Sequence, residues 1–247
     1  MSLKIGITES GDPSIDYSWV VRMVDIDGAV IITKNLSDKL ISHIMNHKDK
    51  IIIHATCTGY GRTNIEPNVP YFENQLDQIR KIIQMGFSKE KIILRVDPII
   101  PDSEYLEYTI KVLDSAKDFA KIVRVSVLDM YPHVIDRFQK SNIPIPNSYI
   151  LNGKINFKAN EISIKEVNDI LLSYKEYEFE SCAEPLLTVK AVGCVSNRDL
   201  RLLNIQIPKT EKLSNQRPDC LCCSYKTELL TSKHRCKNEC LYCYWKD

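Results

Sequence analysis

The chain has 247 residues, of which 44% are hydrophobic, enough to bury the core of one large α/β domain or of two small ones. The formal net charge is +1, so the overall field attracts neither nucleic acid nor an anionic membrane. Without a secretory leader or a membrane-spanning apolar run, the nine cysteines indicate a reducing compartment, and we expect a cytoplasmic protein without membrane association. There, clustered thiols bind metal more often than they form disulfides.

Short runs rich in Ile and Val are predicted to form six buried parallel strands, because they are apolar on both faces. The runs cover residues 5–8, 29–33, 51–55, 92–96, 122–128 and 177–182. Amphipathic helices alternate with these runs. They are predicted after Ser37, over 71–85 and 104–120, and from Ser163, where Ser163 and Glu166 have the spacing of a capping box.

The alternation of strands and helices predicts an α/β fold with a parallel TIM-type barrel, and six strands make it an incomplete (β/α)6 barrel. Residues 141–161 are rich in Pro and Asn and predict a loop with one small hairpin. We assign 1–204 to the barrel and 205–247 to a cysteine-rich tail. The tail is too small to fold alone, so it is expected to cover the carboxyl ends of the strands within the same structural unit.

The last residues of the chain carry three closely spaced thiols. Cys236, Cys240 and Cys243 are separated by four and three residues, and Tyr242 and Tyr244 flank the last of them. Three thiolates on a short loop can bind three irons of a 4Fe-4S cluster and leave the fourth iron open for chemistry. The motif resembles the radical S-adenosylmethionine signature in the variant seen in spore photoproduct lyase, although that motif normally lies near the start of a chain.

Polar residues follow the predicted strands at the edge where a parallel barrel forms its active site. They include Lys34, Asn35, Arg62, Arg95, Asp97, Ser126 and Asp129. Each residue alone is more often solvated or paired than functional. Their repeated placement at one edge favours a common site.

The cofactor of the resembling enzymes defines roles for these residues. Lys34 and Arg95 are the cations expected to bind the S-adenosylmethionine carboxylate, and Arg has the better geometry for this. Ser126 and Asn35 are expected to bind its ribose or amine, and Tyr242 to pack beside the cluster. The residues expected to contact substrate as catalytic groups are Arg62, Glu66, Asp97 and Asp129.

A second group of cysteines predicts a second metal site. We expect Cys182, Cys194, Cys220 and Cys222 to bind either a structural zinc ion or a second 4Fe-4S cluster. Cys223 is an alternative to Cys222 as the ligand. An isolated cysteine is more often a small buried apolar residue, and this reading is retained for Cys57.

Taken together, these segments resemble domain of unknown function 1848, a bacterial family grouped near spore photoproduct lyase. The resemblance runs almost from end to end. It is carried by the segments 33–35, 58–62, 65–70, 95–98, 182–184, 215–222 and 236–244. It implies a radical S-adenosylmethionine-like barrel with its cluster loop at the carboxyl end, and it implies no particular substrate. Leu221 stands where relatives tend to have Gly, which leaves the ligands of the second site open.

The leading hypothesis is therefore an enzyme that cleaves S-adenosylmethionine reductively. Its partners would be a small-molecule or peptide substrate and an electron donor such as flavodoxin or ferredoxin. A zinc-stabilised binding module without catalytic activity is the first alternative, because all the thiols could serve as closed metal ligands. A nucleic-acid repair lyase is the second. It rests on likeness of fold alone, and the near-neutral charge gives it no support.

Overall fold

The computed structural model describes residues 3–152, 156–206, 221–222, 225–231 and 236–245. The strands in this part of the chain are β1 (Ile5–Ile7), β2 (Gly28–Thr33), β3 (Ile51–Thr56), β4 (Ile92–Ile99), β5 (Ile122–Val127), β6 (Tyr149–Asn152), β7 (Asn156–Ala159), β8 (Glu178–Ser181), β9 (Lys190–Ala191) and β10 (Lys226–Glu228). The α-helices are α1 (Ser18–Arg22), α2 (Asp38–Asn46), α3 (Phe72–Gln84), α4 (Ser103–Ser115), α5 (Pro132–Lys140), α6 (Glu161–Ser173) and α7 (Asn197–Leu202).

Eight of the strands form one parallel sheet in the order β10-β1-β2-β3-β4-β5-β8-β9. The six predicted strands correspond to β1 to β5 and β8, so the predicted α/β class with a parallel sheet is confirmed. The sheet also contains β9 and β10, and it therefore has eight strands rather than six. Within the described residues β9 and β10 are the outer strands and do not pair with each other, so the sheet is open and does not form a closed barrel.

Both faces of the sheet are covered, as the continuous apolar runs predict. Alternate strand residues such as Ile31 and Ile53 pack against α2, α3, α4 and α6 in the largest hydrophobic cluster. The intervening residues face the other way, where Val30 and Ile52 pack with Leu200 of α7. Helix α7 thus covers part of the face that the longer helices leave open.

The structure corrects the predicted start of α6. The helix begins at Glu161, and the side chain of Asn160 accepts a hydrogen bond from the backbone N–H of Ser163 at 2.9 Å. Asn160 is the N-cap, and the predicted capping box at Ser163 is wrong because Ser163 already lies inside the helix. The predicted small hairpin is present as β6 and β7, which pair antiparallel. A capping box occurs instead at α7, between Ser196 and Asp199.

The described part of the tail contributes to the sheet. Strand β10 pairs in parallel with β1, with Ile5 opposite Lys226. The backbone of Leu229, just after β10, donates a hydrogen bond to Ile7 at 2.8 Å. Residues 226–229 of the tail are therefore tied to the first strand of the chain. No helix in the described residues has the length and apolar character needed to cross a membrane.

A buried cluster of charged groups lies between β5, β8 and α7. Arg124 and Glu180 are 2% and 1% exposed, and their side chains form an ion pair at 2.7 Å. Arg198 and Asp199 extend the cluster, at 3.2 Å from Glu180 and 3.8 Å from Arg124 respectively. Burial, together with the charge of Arg124, lowers the pKa of His54 well below its usual value, so its neutral ring can face the guanidinium.

We predict that Glu180→Ala destabilises the fold by about 3–5 kcal/mol, because it leaves Arg124 buried without its closest carboxylate. Glu178→Ala is the matched control, two residues earlier on the same strand. Glu178 pairs with Lys190 at 3.1 Å, but both side chains are exposed, so its loss should cost less than about 1 kcal/mol. Urea denaturation of both variants measures the difference. Equal losses of stability would contradict the assignment.

Candidate metal centres

The carboxyl ends of the strands bring several predicted site residues together. Arg95 and Asp97 lie on β4 and Ser126 lies on the neighbouring β5. Arg95 and Ser126 each donate a hydrogen bond to the Asp97 carboxylate. Burial is the largest single influence and would raise the pKa of Asp97, but the charge of Arg95 and the hydrogen bonds from Ser126 and Arg95 together hold this pKa below its usual value. The group is therefore a carboxylate stabilised by its neighbours.

Arg95 keeps unused hydrogen-bonding capacity. Burial is the largest single influence and disfavours its charged form, but the negative groups around it, Asp97 foremost, together raise the pKa of Arg95 above its usual value. Its Nε atom is buried and has no hydrogen-bond partner within the described residues. A guanidinium carries five N–H donors, so Arg95 can bind a further anion while it stays paired with Asp97.

Glu66 organises a second group of polar side chains. Its side chain is 1% exposed and accepts hydrogen bonds from Lys34 Nζ and Thr58 Oγ1, both at 2.8 Å, and from the hydroxyl of Tyr242. Lys34 Nζ also lies 5.2 Å from the centre of the Tyr242 ring. Burial is the largest single influence and lowers the pKa of Lys34, but the charges of Glu66, Cys240 and Asp97, with the hydrogen bond to Glu66, together raise this pKa above its usual value. The Lys34–Glu66 ion pair thus connects the end of β2 to the β3–α3 loop, and the Tyr242 hydroxyl connects Glu66 to the cysteine tail.

The loop that carries the last three cysteines is held by the rest of the fold. The backbone N–H groups of Glu239 and Cys243 close two turns onto the carbonyls of Cys236 and Cys240, at 3.2 and 3.1 Å. Glu239 has a positive φ of 53°, which allows the chain to reverse between the first two thiols. The loop therefore has a defined backbone shape.

Contacts from the β3–α3 loop and from α5 hold this loop at the carboxyl ends of the strands. The backbone N–H of Leu241 donates to the carbonyl of Ile65 at 3.0 Å, in the loop that precedes α3. Arg137 of α5 donates to the carbonyl of Cys243. Cys240, Leu241 and Tyr242 belong to one hydrophobic cluster with residues of the β3–α3 loop and α5. The cysteine loop therefore lies over the polar groups at the strand ends.

The three thiols of this loop differ in burial. Cys240 is 5% exposed, and Cys236 and Cys243 are half-buried. Burial raises the pKa of Cys236 and raises that of Cys240 well above its usual value. The three sulfurs do not form a group with all atoms within 4.8 Å of one another. The thiols of a cubane cluster bind separate irons, so this wider spacing suits a cluster better than a single ion.

The second predicted cysteine group is compact. Cys182, Cys194 and Cys222 place their sulfurs within 4.8 Å of one another, and within the described residues this is the group of three that could hold a metal ion. The sulfurs of Cys182 and Cys194 are 3.8 Å apart, and the backbone N–H of Cys194 donates to the sulfur of Cys222 at 3.1 Å. Hydrogen bonds from the other two thiols lower the pKa of Cys222 below its usual value. Cys220 and Cys223 lie outside the described residues.

Three of the predicted residues lie at the edge of the site. Arg62 is exposed, and its guanidinium donates to the carbonyl of Pro67 at 3.4 Å. Asn35 is half-buried and uses its backbone N–H to donate to Thr33 Oγ1 at 3.0 Å. The carboxylate of Asp129 is 38% exposed and lies 4.0 Å from the ammonium of Lys158. The contacts of Arg62 and Asn35 are with residues nearby in the chain, and that of Asp129 is with a residue of β7.

The sequence reasoning missed Asp12. This residue is 3% exposed and accepts hydrogen bonds from Thr33 Oγ1 at 2.8 Å, Lys34 N at 2.9 Å and the Asn238 side chain at 3.0 Å. It therefore joins the loop after β1, the end of β2 and the cysteine loop. Its position just beyond β1, at the edge already identified for the other strands, was the available signal.

Comparison with protein-family models identifies one family. The model of a family described as "Domain of unknown function (DUF1848)" matches residues 5–245. The chain belongs to this family. The predicted family membership is confirmed, and the match includes both cysteine groups. Searches of curated proteins and of solved structures found no match.

In this DUF1848 protein, we predict that Tyr242→Phe loosens the cysteine loop, because it removes a buried hydrogen bond to the Glu66 carboxylate. Such bonds contribute about 1.5–3 kcal/mol, so amide exchange at Leu241 and Cys243 should become about 10- to 100-fold faster. Hydrogen exchange with mass spectrometry measures this.

Tyr244→Phe is the matched control on the same loop. Tyr244 is 56% exposed and donates to the carbonyl of Glu9 at 3.2 Å. Its loss should change exchange in the loop much less than the loss of the Tyr242 hydroxyl. If both variants accelerate exchange equally, the Glu66 contact does not hold the loop.

Proposed function

We propose that the protein is a radical S-adenosylmethionine enzyme in which Cys236, Cys240 and Cys243 bind a 4Fe-4S cluster. In this proposal the open parallel sheet is the incomplete barrel of that enzyme class. The observation that carries the proposal is the docking of the three-thiol loop over the polar strand ends through Tyr242, Glu66 and Lys34. A loop held in this way presents a cluster to the edge where parallel α/β folds bind their ligands.

The donor set fits the cluster. Three thiolates leave one iron of a cubane without a protein ligand, and the thiol spacing is too wide for a single prearranged ion. When bound, such a cluster supplies one electron that cleaves S-adenosylmethionine into methionine and a deoxyadenosyl radical. The half-buried and buried positions of the thiols favour a site that is partly shielded from water.

The residues at the strand ends would bind and orient the cofactor. Arg95 has a buried Nε–H without a partner in the described part of the chain and is the better candidate for the methionine carboxylate. Lys34 is engaged by Glu66, so its main role is to hold that carboxylate and, through it, Tyr242. Asp97 retains acceptor capacity beyond Arg95 and Ser126 and can accept a hydrogen bond from the amine or a ribose hydroxyl.

The proposed substrate is a small molecule or a peptide, and the proposed electron donor is a flavodoxin or ferredoxin. Arg62 and Asp129 are solvent-accessible at the edge of the site, which suits contacts with the outer part of a substrate. A nucleic acid is less favoured, because the net charge of +1 gives no broad electrostatic attraction to phosphate.

We predict that the protein, reconstituted anaerobically with iron and sulfide, takes up four irons at the 236–243 loop in addition to any metal bound elsewhere. With dithionite and S-adenosylmethionine it should form 5′-deoxyadenosine and methionine. Cys240→Ala should abolish both products and remove the absorbance of this cluster. Cys57→Ala is the matched control, since Cys57 is a buried thiol in the main core outside the loop. It should retain the cluster.

Arg95→Lys tests the role of the guanidinium. A lysine keeps the charge but lacks the forked donor geometry, so the dissociation constant of S-adenosylmethionine should rise while the iron content stays unchanged. Equilibrium binding to the reconstituted protein measures it. Loss of iron in this variant, or unchanged cofactor affinity, would contradict the role assigned to Arg95.

A zinc-stabilised binding module is the second candidate function, and the compact group of Cys182, Cys194 and Cys222 favours it. The two candidates differ in what the 236–243 loop binds. A module predicts zinc at this loop and no deoxyadenosine under any reducing condition. An enzyme predicts iron and both products.

A further inference from the structure

We propose that Cys182, Cys194 and Cys222 bind one zinc ion, and that this ion fastens together the two open edges of the parallel sheet. The inference does not rest on the proposed enzymatic function, because the three thiols are separate from the 236–243 loop. It follows from the sulfur spacing, from where the three residues lie in the fold and from the polar groups around them.

The sulfur spacing matches one ion. Zinc binds thiolates at about 2.3 Å in tetrahedral geometry, which places ligand sulfurs about 3.8 Å apart. The sulfurs of Cys182 and Cys194 are 3.8 Å apart, and all three lie within 4.8 Å of one another. In an iron–sulfur cluster each thiolate binds a different iron, which requires a more open arrangement. A zinc ion therefore fits the group with little movement.

The three residues come from the segments that border the gap in the sheet. Cys182 directly follows β8, and Cys194 follows the outer strand β9. Cys222 precedes β10, the outer strand on the opposite side. Gly193 shows how close these segments are, because a Cβ atom at this position would lie 2.6 Å from the carbonyl oxygen of Leu221. Strands β9 and β10 do not pair with each other in the described residues, so an ion held by these thiols would link the two outer strands of the sheet.

The surroundings support thiolates rather than three packed apolar thiols. The backbone N–H of Cys194 donates to the sulfur of Cys222 at 3.1 Å, and such outer contacts orient metal ligands. Lys226, on β10, interacts electrostatically with Cys222 and Cys194, and it pairs with Glu9 at 2.7 Å. A cation beside the group offsets the excess negative charge that several thiolates leave around one divalent ion.

The metal would also stabilise the fold. The three ligands are far apart in the chain, with 12 residues from Cys182 to Cys194 and 28 from Cys194 to Cys222. A site formed by such distant residues exists only in the folded state, so metal binding and folding are coupled. Removal of zinc should therefore release the segment around Cys222 and β10 from the sheet.

The first experiment measures metal in the full chain expressed with zinc. The variant Cys236→Ala, Cys240→Ala, Cys243→Ala removes the proposed cluster ligands, so any remaining ion belongs to the second site. We expect one zinc ion per chain and, in X-ray absorption at the zinc edge, at least three sulfurs at about 2.3 Å. Wild-type protein reconstituted with iron serves as the companion sample if the variant does not fold.

Single variants then assign the ion. Cys194→Ala should lose the zinc, and Cys57→Ala, the buried control outside the group, should keep it. Gly193→Ala leaves all thiols in place but forces the Leu221 segment away, so zinc affinity should fall about 10- to 100-fold. Chelation of zinc from the wild type, with hydrogen exchange at 226–228, tests the link to β10 without any substitution.

The proposal is overturned by iron–iron scattering from this site, by wild-type protein that binds no zinc, or by Cys194→Ala protein that retains it. Unchanged exchange in β10 after zinc removal would overturn the proposed fastening of the edges. Failure of the enzymatic proposal would instead appear as absent iron at the 236–243 loop or absent deoxyadenosine. The zinc content therefore tests this proposal, and the iron content of the 236–243 loop tests the enzymatic one.

Discussion

The buried carboxylate of Glu66 is the constraint on which the candidate site depends. A carboxylate that is 1% exposed is costly unless charged and polar donors surround it. Lys34, Thr58 and Tyr242 supply these donors from the end of β2, the loop after β3 and the cysteine tail. Because the Glu66 carboxylate would be strongly destabilising without these donors, the three segments that supply them are held close together around it. The cysteine loop therefore has one favoured place on the sheet.

The sequence predicted the elements whose signals are local. The runs that became β2, β3 and β4 are apolar on both faces, and burial on both sides of a parallel sheet produces that pattern. Strands β9 and β10, with two and three residues, have no such pattern and exist through their pairing with β8 and β1. Helix α7 has six residues and was missed for the same reason. Short elements depend on tertiary contacts that sequence periodicity does not contain.

The sequence predicted those site residues that directly follow a strand or lie near its carboxyl end, because the strand position alone places them at the site. The structure brings Arg95, Asp97 and Ser126 into contact, as their shared edge suggests. Their pairing with one another, and that of Lys34 with Glu66, could not be read from the sequence, since it depends on side-chain directions. Asp12 was missed because its role arises from a contact with Asn238, 226 residues away.

The two cysteine groups share an electrostatic arrangement. In each group a buried thiol lies near a lysine that is also paired with a carboxylate. Beside Cys240 the lysine is Lys34 and the carboxylate is Glu66. Beside Cys222 they are Lys226 and Glu9. Several thiolates around a metal carry excess negative charge, and a nearby ammonium offsets it. The carboxylate in turn holds the ammonium in place before metal binds. Arg95 interacts electrostatically with Cys194 and Asp97, and Lys34 interacts with Cys240 and Asp97, so the polar groups at the strand ends link the electrostatics of the two cysteine groups.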